Sequence, residues 1–228
     1  MKRVLTVFLF IAIFYSLPAN SYTGSSDADS MIVRIPVWVF LETVPGSNGQ
    51  DARDSLPPRK ALTKLSAFLL SGMTFGWKFS YTPYDKIRSV EEFFELTPVY
   101  EISTEDAALK ITELRPAYPY LYCWAEYSVA PNTAKRREFW KSISYKTSKG
   151  RGEGKRDQEI NGVYNAYINA AKQSVRNYAR TLTKNKPREI IGEMIIKDNP
   201  RLYMKSGTFY AELEVYIQIK EIVPYKVF

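Results

Sequence analysis

Between residues 160 and 182 the apolar positions Ile160, Tyr164, Tyr167, Ala171, Val175, Tyr178 and Leu182 recur every three or four residues. That period puts all seven on one side of an amphipathic helix, so the spacing predicts a long helix over 157–184. After the breaker Lys186-Pro187 the period drops to two. Phe209, Ala211, Leu213, Val215, Ile217 and Ile219 alternate with Tyr210, Glu212, Glu214, Tyr216, Gln218 and Lys220, as in a strand with one buried face. With strands expected at 190–197 and 201–205 as well, this half of the chain reads as a helix lying on an antiparallel meander.

The first half carries the same signals in another order. Val33, Ile35, Val37, Val39 and Leu41 alternate with Ile32, Arg34, Pro36, Trp38 and Phe40, which predicts a strand over 31–42 that Pro36 confines to a sheet edge or bulge. A loop at 45–54 leads to a helix with Ser55 as its cap, Pro57 and Pro58 in its first turn, Ala61, Leu62, Leu65, Phe68 and Leu69 inward, and Gly72 as its stop. Met73, Phe75, Trp77, Phe79 and Tyr81 then read as one face of a strand, either a core face or an aromatic platform that could stack on sugar rings. A short helix is expected at 85–96 with Ile87, Val90, Phe93 and Phe94 inward, and short strands at 99–102 and 109–114. At 118–129 Leu121, Cys123, Ala125, Tyr127 and Val129 share one strand face, leaving Tyr120, Tyr122 and Trp124 as a candidate aromatic surface on the other.

These patterns define an α+β fold of two helix-plus-antiparallel-sheet modules packed together, over 22–130 and 157–228. Residues 131–156, with Lys135-Arg136-Arg137 and Gly150-Arg151-Gly152-Glu153-Gly154, read as a basic flexible connector. The glycine spacing lacks the lysine-serine ending of a phosphate loop.

The chain starts with Lys2 and Arg3, an apolar run from Val4 to Leu17, Pro18 and Ala19-Asn20-Ser21. This is the layout of a secretory signal peptide over 1–21, since the run is shorter than the roughly 18–20 residues that span a bilayer. A periplasmic or secreted protein follows from it, with no integral span after cleavage. The leader takes two of the basic residues with it, so the net charge of +8 falls to +6. An exported protein meets little nucleic acid, and the natural partners of that charge are an envelope protein or an anionic envelope polymer.

Composition also narrows the chemistry. One cysteine, Cys123, permits no intrachain disulfide, and the absence of histidine removes Ser-His and Cys-His nucleophile pairs and most zinc sites. No catalytic residue, metal ligand or cofactor site is assigned. Glu91, Glu92 and Glu95 read as solvated helix charges rather than an acid and base pair. Candidate partner-binding residues are Lys172, Arg176, Arg180 and Lys184, four apart on the long helix, with Lys149 and Arg151 from the connector. Like charges at that spacing repel by a few tenths of a kcal/mol, roughly, and call for an anion, either Glu212 and Glu214 within the fold or an external partner.

Over about residues 157–222, the run Tyr164-x-x-Tyr167-x-x-Ala170-Ala171-x-x-x-Val175-x-x-Tyr178 with its following sheet resembles the helix-then-sheet modules of bacterial periplasmic envelope and flagellar-assembly proteins. The chain is longer at its N-terminus and lacks a lipid-attachment Cys. The resemblance transfers no functional residue. It implies a non-catalytic structural or assembly role in the envelope, beside which stand a binding module for an anionic envelope polymer and a glycan-active enzyme.

Overall fold

The structure is a computed structural model and describes residues 31–42, 56–142, 144–183 and 185–225. The expected signal peptide, the lead at 22–30, the loop at 45–54, the Ser55 cap and Lys184 lie outside the described residues. In chain order the elements are β1 (Met31–Phe40), α1 (Pro58–Thr74), β2 (Trp77–Thr82), β3 (Phe93–Pro98), β4 (Leu109–Ala117), β5 (Tyr120–Val129), α2 (Pro131–Trp140), β6 (Lys146–Lys155), α3 (Glu159–Leu182), β7 (Glu189–Ile196), β8 (Arg201–Lys205) and β9 (Thr208–Val223). The class is α+β. Three strands form an antiparallel sheet in the order β1-β5-β4, and six form a second, β3-β2-β7-β9-β6, with β8 also paired to β9.

The chain does not divide at residue 130. β2 and β3 extend the C-terminal sheet, with Trp77 opposite Met194 and Tyr81 opposite Ile190, so the N-terminal half completes the sheet of the other. Between the two sheets runs α1, whose Leu62, Leu65, Leu69 and Leu70 are buried. Each such leucine is worth about 1.5–3 kcal/mol relative to exposure, which makes α1 the centre of the core. Its inward serines are satisfied locally: Ser66 Oγ donates to the Leu62 carbonyl at 2.7 Å, and Ser71 Oγ donates to Ala67 at 2.7 Å while accepting the Ile102 amide at 2.9 Å.

The glycine run at 150–154 is strand β6, and 131–140 is helix α2, so the expected flexible connector is ordered. The reason lies across the structure. A Cβ on Gly150 would sit 2.0 Å from the Ala170 carbonyl oxygen, on Gly152 2.1 Å from the Ala170 nitrogen, and on Gly154 1.8 Å from the Gly162 carbonyl oxygen. Two strand residues advance about 6.6 Å and four helix residues about 6 Å, so glycines at every second strand position meet the small residues Gly162, Ala166, Ala170 and Ser174 in step. The helix therefore lies directly on β6, and Asn169 and Asn177 hydrogen-bond to the outward carbonyls of Glu153 and Lys149, covering an otherwise open sheet edge.

Four further expectations change. Helix α1 continues past Gly72 to Thr74, because that glycine accommodates the Trp77 ring, 2.4 Å from where a Cβ would be; the chain turns instead at Gly76 (φ +85). Met73 and Phe75 thus precede β2, in which Trp77, Phe79 and Tyr81 are buried as a core face. Residues 85–96 form a hairpin end rather than a helix: Asp85 and Val90 exchange backbone hydrogen bonds at 2.9 Å, Ser89 has φ +52, and β3 pairs with β2. The spacing of Ile87, Val90, Phe93 and Phe94 mimics a helix face, yet Ile87 is 93% and Phe93 54% exposed. Residues 99–102 form no strand; there Ile102 inserts into the core.

Candidate functional site

At the C-terminal end of α3 a pocket of about 260 Å³ opens between that helix, β2 and the start of β7, lined among others by Tyr81, Tyr84, Glu92, Arg176, Arg180 and Lys186. The helix brings Arg176 and Arg180 to one side by their spacing of four, and its C-terminal dipole favours cations there by about 0.3–1 kcal/mol. Glu92 arrives from the chain leading into β3. Its carboxylate accepts the Tyr81 hydroxyl at 2.8 Å and faces Lys172 Nζ at 3.3 Å and an Arg176 guanidinium nitrogen at 3.9 Å.

The electrostatics follow from that arrangement. Burial pushes the Glu92 carboxyl up, but the Tyr81 hydrogen bond and the Lys172 and Arg176 cations outweigh it and hold the group below its usual value. Burial, reinforced by the Glu92 charge, raises the Tyr81 phenol far above its ordinary range. Glu92 is therefore a fixed anion and Tyr81 a fixed donor to it. Such a carboxylate suits a counter-charge, not a general acid, whose pKa must be raised. Among the described residues neither Arg180 nor Lys186 has an ion-pair partner within 4 Å, and both are exposed.

The basic ridge is thus half compensated. Lys172 and Arg176 share Glu92, in place of the expected Glu212 and Glu214; Arg180 stays open, and Lys184 lies outside the described residues. Glu214 is engaged elsewhere, with Lys197 at 2.9 Å and Lys149 at 3.3 Å, which holds its carboxyl below the usual range. Glu212 accepts the Tyr203 hydroxyl at 3.0 Å. Lys149 and Arg151 do not join the ridge. They line a separate polar cleft of about 550 Å³ with Gln173, Asn177 and Arg201, where the Arg151 guanidinium lies 4.4 Å from the Tyr210 ring centre. Sequence reasoning missed Glu92, Tyr81 and Lys186 as parts of one site. Their signal was the strand alternation from Phe93 onward, which frees Glu92 from a helix surface.

The expected aromatic surface exists but is closed upon itself. Tyr120, Tyr122 and Trp124 share the face of β5 turned away from α1 and are half-buried. Tyr120 packs on Trp38 at 4.8 Å and Phe40 at 5.0 Å, while Arg34 covers Trp124 at 4.2 Å and Arg115 approaches Tyr122 at 5.6 Å. These are cation–π and ring contacts within the protein. On the opposite face Cys123 is buried, and burial pushes its thiol up to about 11, the environment of an inert core cysteine. Among the described residues no three His, Cys, Asp or Glu side chains could hold a metal ion, and no helix is long and apolar enough to cross a membrane.

The fold and this pocket define an α+β protein with a cation-rich concavity at one helix end. A protein-family model matches residues 21–225, and the chain belongs to that family. It is similar to an uncharacterised protein of Treponema pallidum (strain Nichols), with 39% identity over 211 residues that cover 92% of this chain and 89% of the relative. No solved structure matches the chain.

Proposed function

We propose that this is an exported, non-catalytic component of the bacterial cell envelope that docks an anionic partner at the C-terminal end of α3. The observation that carries the reading is the imbalance in the pocket: Lys172 and Arg176 share Glu92, whereas Arg180 and Lys186 face solvent beside them. Exposed like charges repel one another and gain by meeting an external anion. Export is supported by the basic start, apolar run and Ala19-Asn20-Ser21, and by a family match that begins at residue 21. The periplasmic or secreted location and the structural or assembly role belong to the same proposal, with an envelope protein or an anionic envelope polymer as the partner.

Reversing both open charges tests it. Arg180→Glu with Lys186→Glu should leave the melting temperature within about 2 °C of wild type, because each side chain is exposed and has no ion-pair partner among the described residues, and should abolish retention on an immobilised polyanion. Unchanged retention with normal melting would make the pocket a solvated face. A large drop in melting temperature would show that the charges are compensated inside the fold.

A further inference from the structure

Above the basic pocket stands the end of the β2–β3 hairpin, and it exposes apolar groups where a soluble surface has charge. Ile87 is 93% exposed at the apex, and Tyr84, on the pocket's own rim, is 47% exposed. The apex is held in shape. The buried Asp85 carboxylate accepts the Ile87 amide at 3.0 Å and the Arg88 guanidinium at 2.6 Å, Arg88 rests 4.3 Å from the Tyr225 ring centre, and the Asp85–Val90 backbone pair closes the turn. A branched aliphatic side chain is thus displayed on a rigid turn, with no neighbour among the described residues to cover it.

The base of this hairpin shares the cation-rich pocket through Tyr84 and Glu92. Lys86 and Arg88 lie on the turn itself, and Lys172, Arg176, Arg180 and Lys186 stand at or beside the pocket below, against the carboxylates Asp85, Glu91 and Glu92. Among the described residues Asp85 is taken by Arg88, and Glu92 by Lys172 and Arg176, which leaves Lys86, Arg180 and Lys186 against the single carboxylate of Glu91. An aliphatic tip and an interfacial tyrosine above a ring of lysine and arginine match the two layers of a membrane surface: acyl chains beneath, anionic headgroups at the level of the cations. An acidic protein surface would match the cations and leave Ile87 without a counterpart.

We infer that the anionic partner is a lipid surface bearing acidic headgroups, into which the hairpin end inserts Ile87 and Tyr84 while Lys86, Arg180 and Lys186 bind the headgroups. This rests on the docking reading above and names its partner class. Vesicles of phosphatidylcholine alone and of phosphatidylcholine with about 30% phosphatidylglycerol separate the charge requirement, and the uncharged polar variant Ile87→Asn separates insertion from charge, since the side chain it replaces is 93% exposed.

The full mature chain should float with the anionic vesicles and not the neutral ones. Ile87→Asn should weaken that binding by about tenfold or more while retaining wild-type affinity for soluble heparin. If the variant binds anionic vesicles as the wild type does, insertion is refuted. If the wild type binds heparin but ignores the vesicles, the partner is a soluble polyanion or acidic protein, and the lipid inference falls while the docking reading stands. Binding to neither overturns both.

Discussion

Asn169 donates its side-chain amide proton to the Glu153 carbonyl at 2.8 Å, closing one end of the open edge of β6; Asn177 does the same for Lys149 at 2.9 Å. Gln173, between them on the helix, donates to the Asn177 side-chain oxygen at 2.8 Å, which orients that amide toward the strand. Residues that flank the basic ridge in sequence therefore serve the sheet rather than a ligand.

The edge contact makes Asn169 sensitive to chemistry more than to size. Asn169→Ala removes one hydrogen bond to a carbonyl that water can reach, for about 1 kcal/mol. Asn169→Asp replaces a donor with a carboxylate facing that carbonyl and should cost more than the alanine variant at pH 7. Urea denaturation of the two variants side by side gives the order, and equal stabilities would contradict the contact.

The register of α3 on β6 predicts a contrast between two glycines. Gly152→Ala drives a methyl to within about 2 Å of the α3 backbone, which forces helix and strand apart and should cost about 3 kcal/mol or more. Gly207→Ala, at φ +73 with nothing within 4 Å of the added carbon, carries only the left-handed penalty of about 1 kcal/mol. Differential scanning calorimetry should show Gly152→Ala melting well below Gly207→Ala.

Glu92 predicts a pH dependence of known sign. Its folded pKa lies below its usual value near 4.5, so its contribution to stability is fully present above that value and is lost as pH falls through the lower folded one. Glu92→Gln keeps an acceptor for Tyr81 but loses the Lys172 and Arg176 pairs, and should be about 1–2 kcal/mol less stable at pH 7. The difference should shrink below about pH 4.5, where the unfolded wild type takes up the proton first. Chemical denaturation at pH 7 and pH 3.5 measures both ends.

What the sequence made legible was local. The two-residue alternation of β1, β5 and β9 and the helical period of α3 were readable because each element carries its own buried face; Pro36 placed β1 at a sheet edge, and Cys123 on the core side of β5. What stayed hidden depends on partners far along the chain. Gly150, Gly152 and Gly154 look like a flexible linker until Gly162, Ala166 and Ala170 are laid against them. Ile87, Val90, Phe93 and Phe94 fit a helix until the Asp85 carboxylate claims the Ile87 amide and closes a turn. The basic ridge was legible from its spacing of four, but its counter-charge lies some 80 residues earlier at Glu92, and Lys186 entered the pocket only because the chain turns back into β7.

Binding of an external anion by Arg180 and Lys186 must show in the salt dependence of polyanion binding. Heparin affinity should be measured for the wild type and for Arg180→Gln with Lys186→Gln between about 25 and 200 mM salt, where screening lengths pass from about 20 Å to under 10 Å. Each cation that displaces a counterion from the polyanion contributes roughly one to the slope of log affinity against log salt. The double variant should bind more weakly, with a slope shallower by about two; equal affinities and equal slopes for the two proteins would contradict anion binding by these two cations.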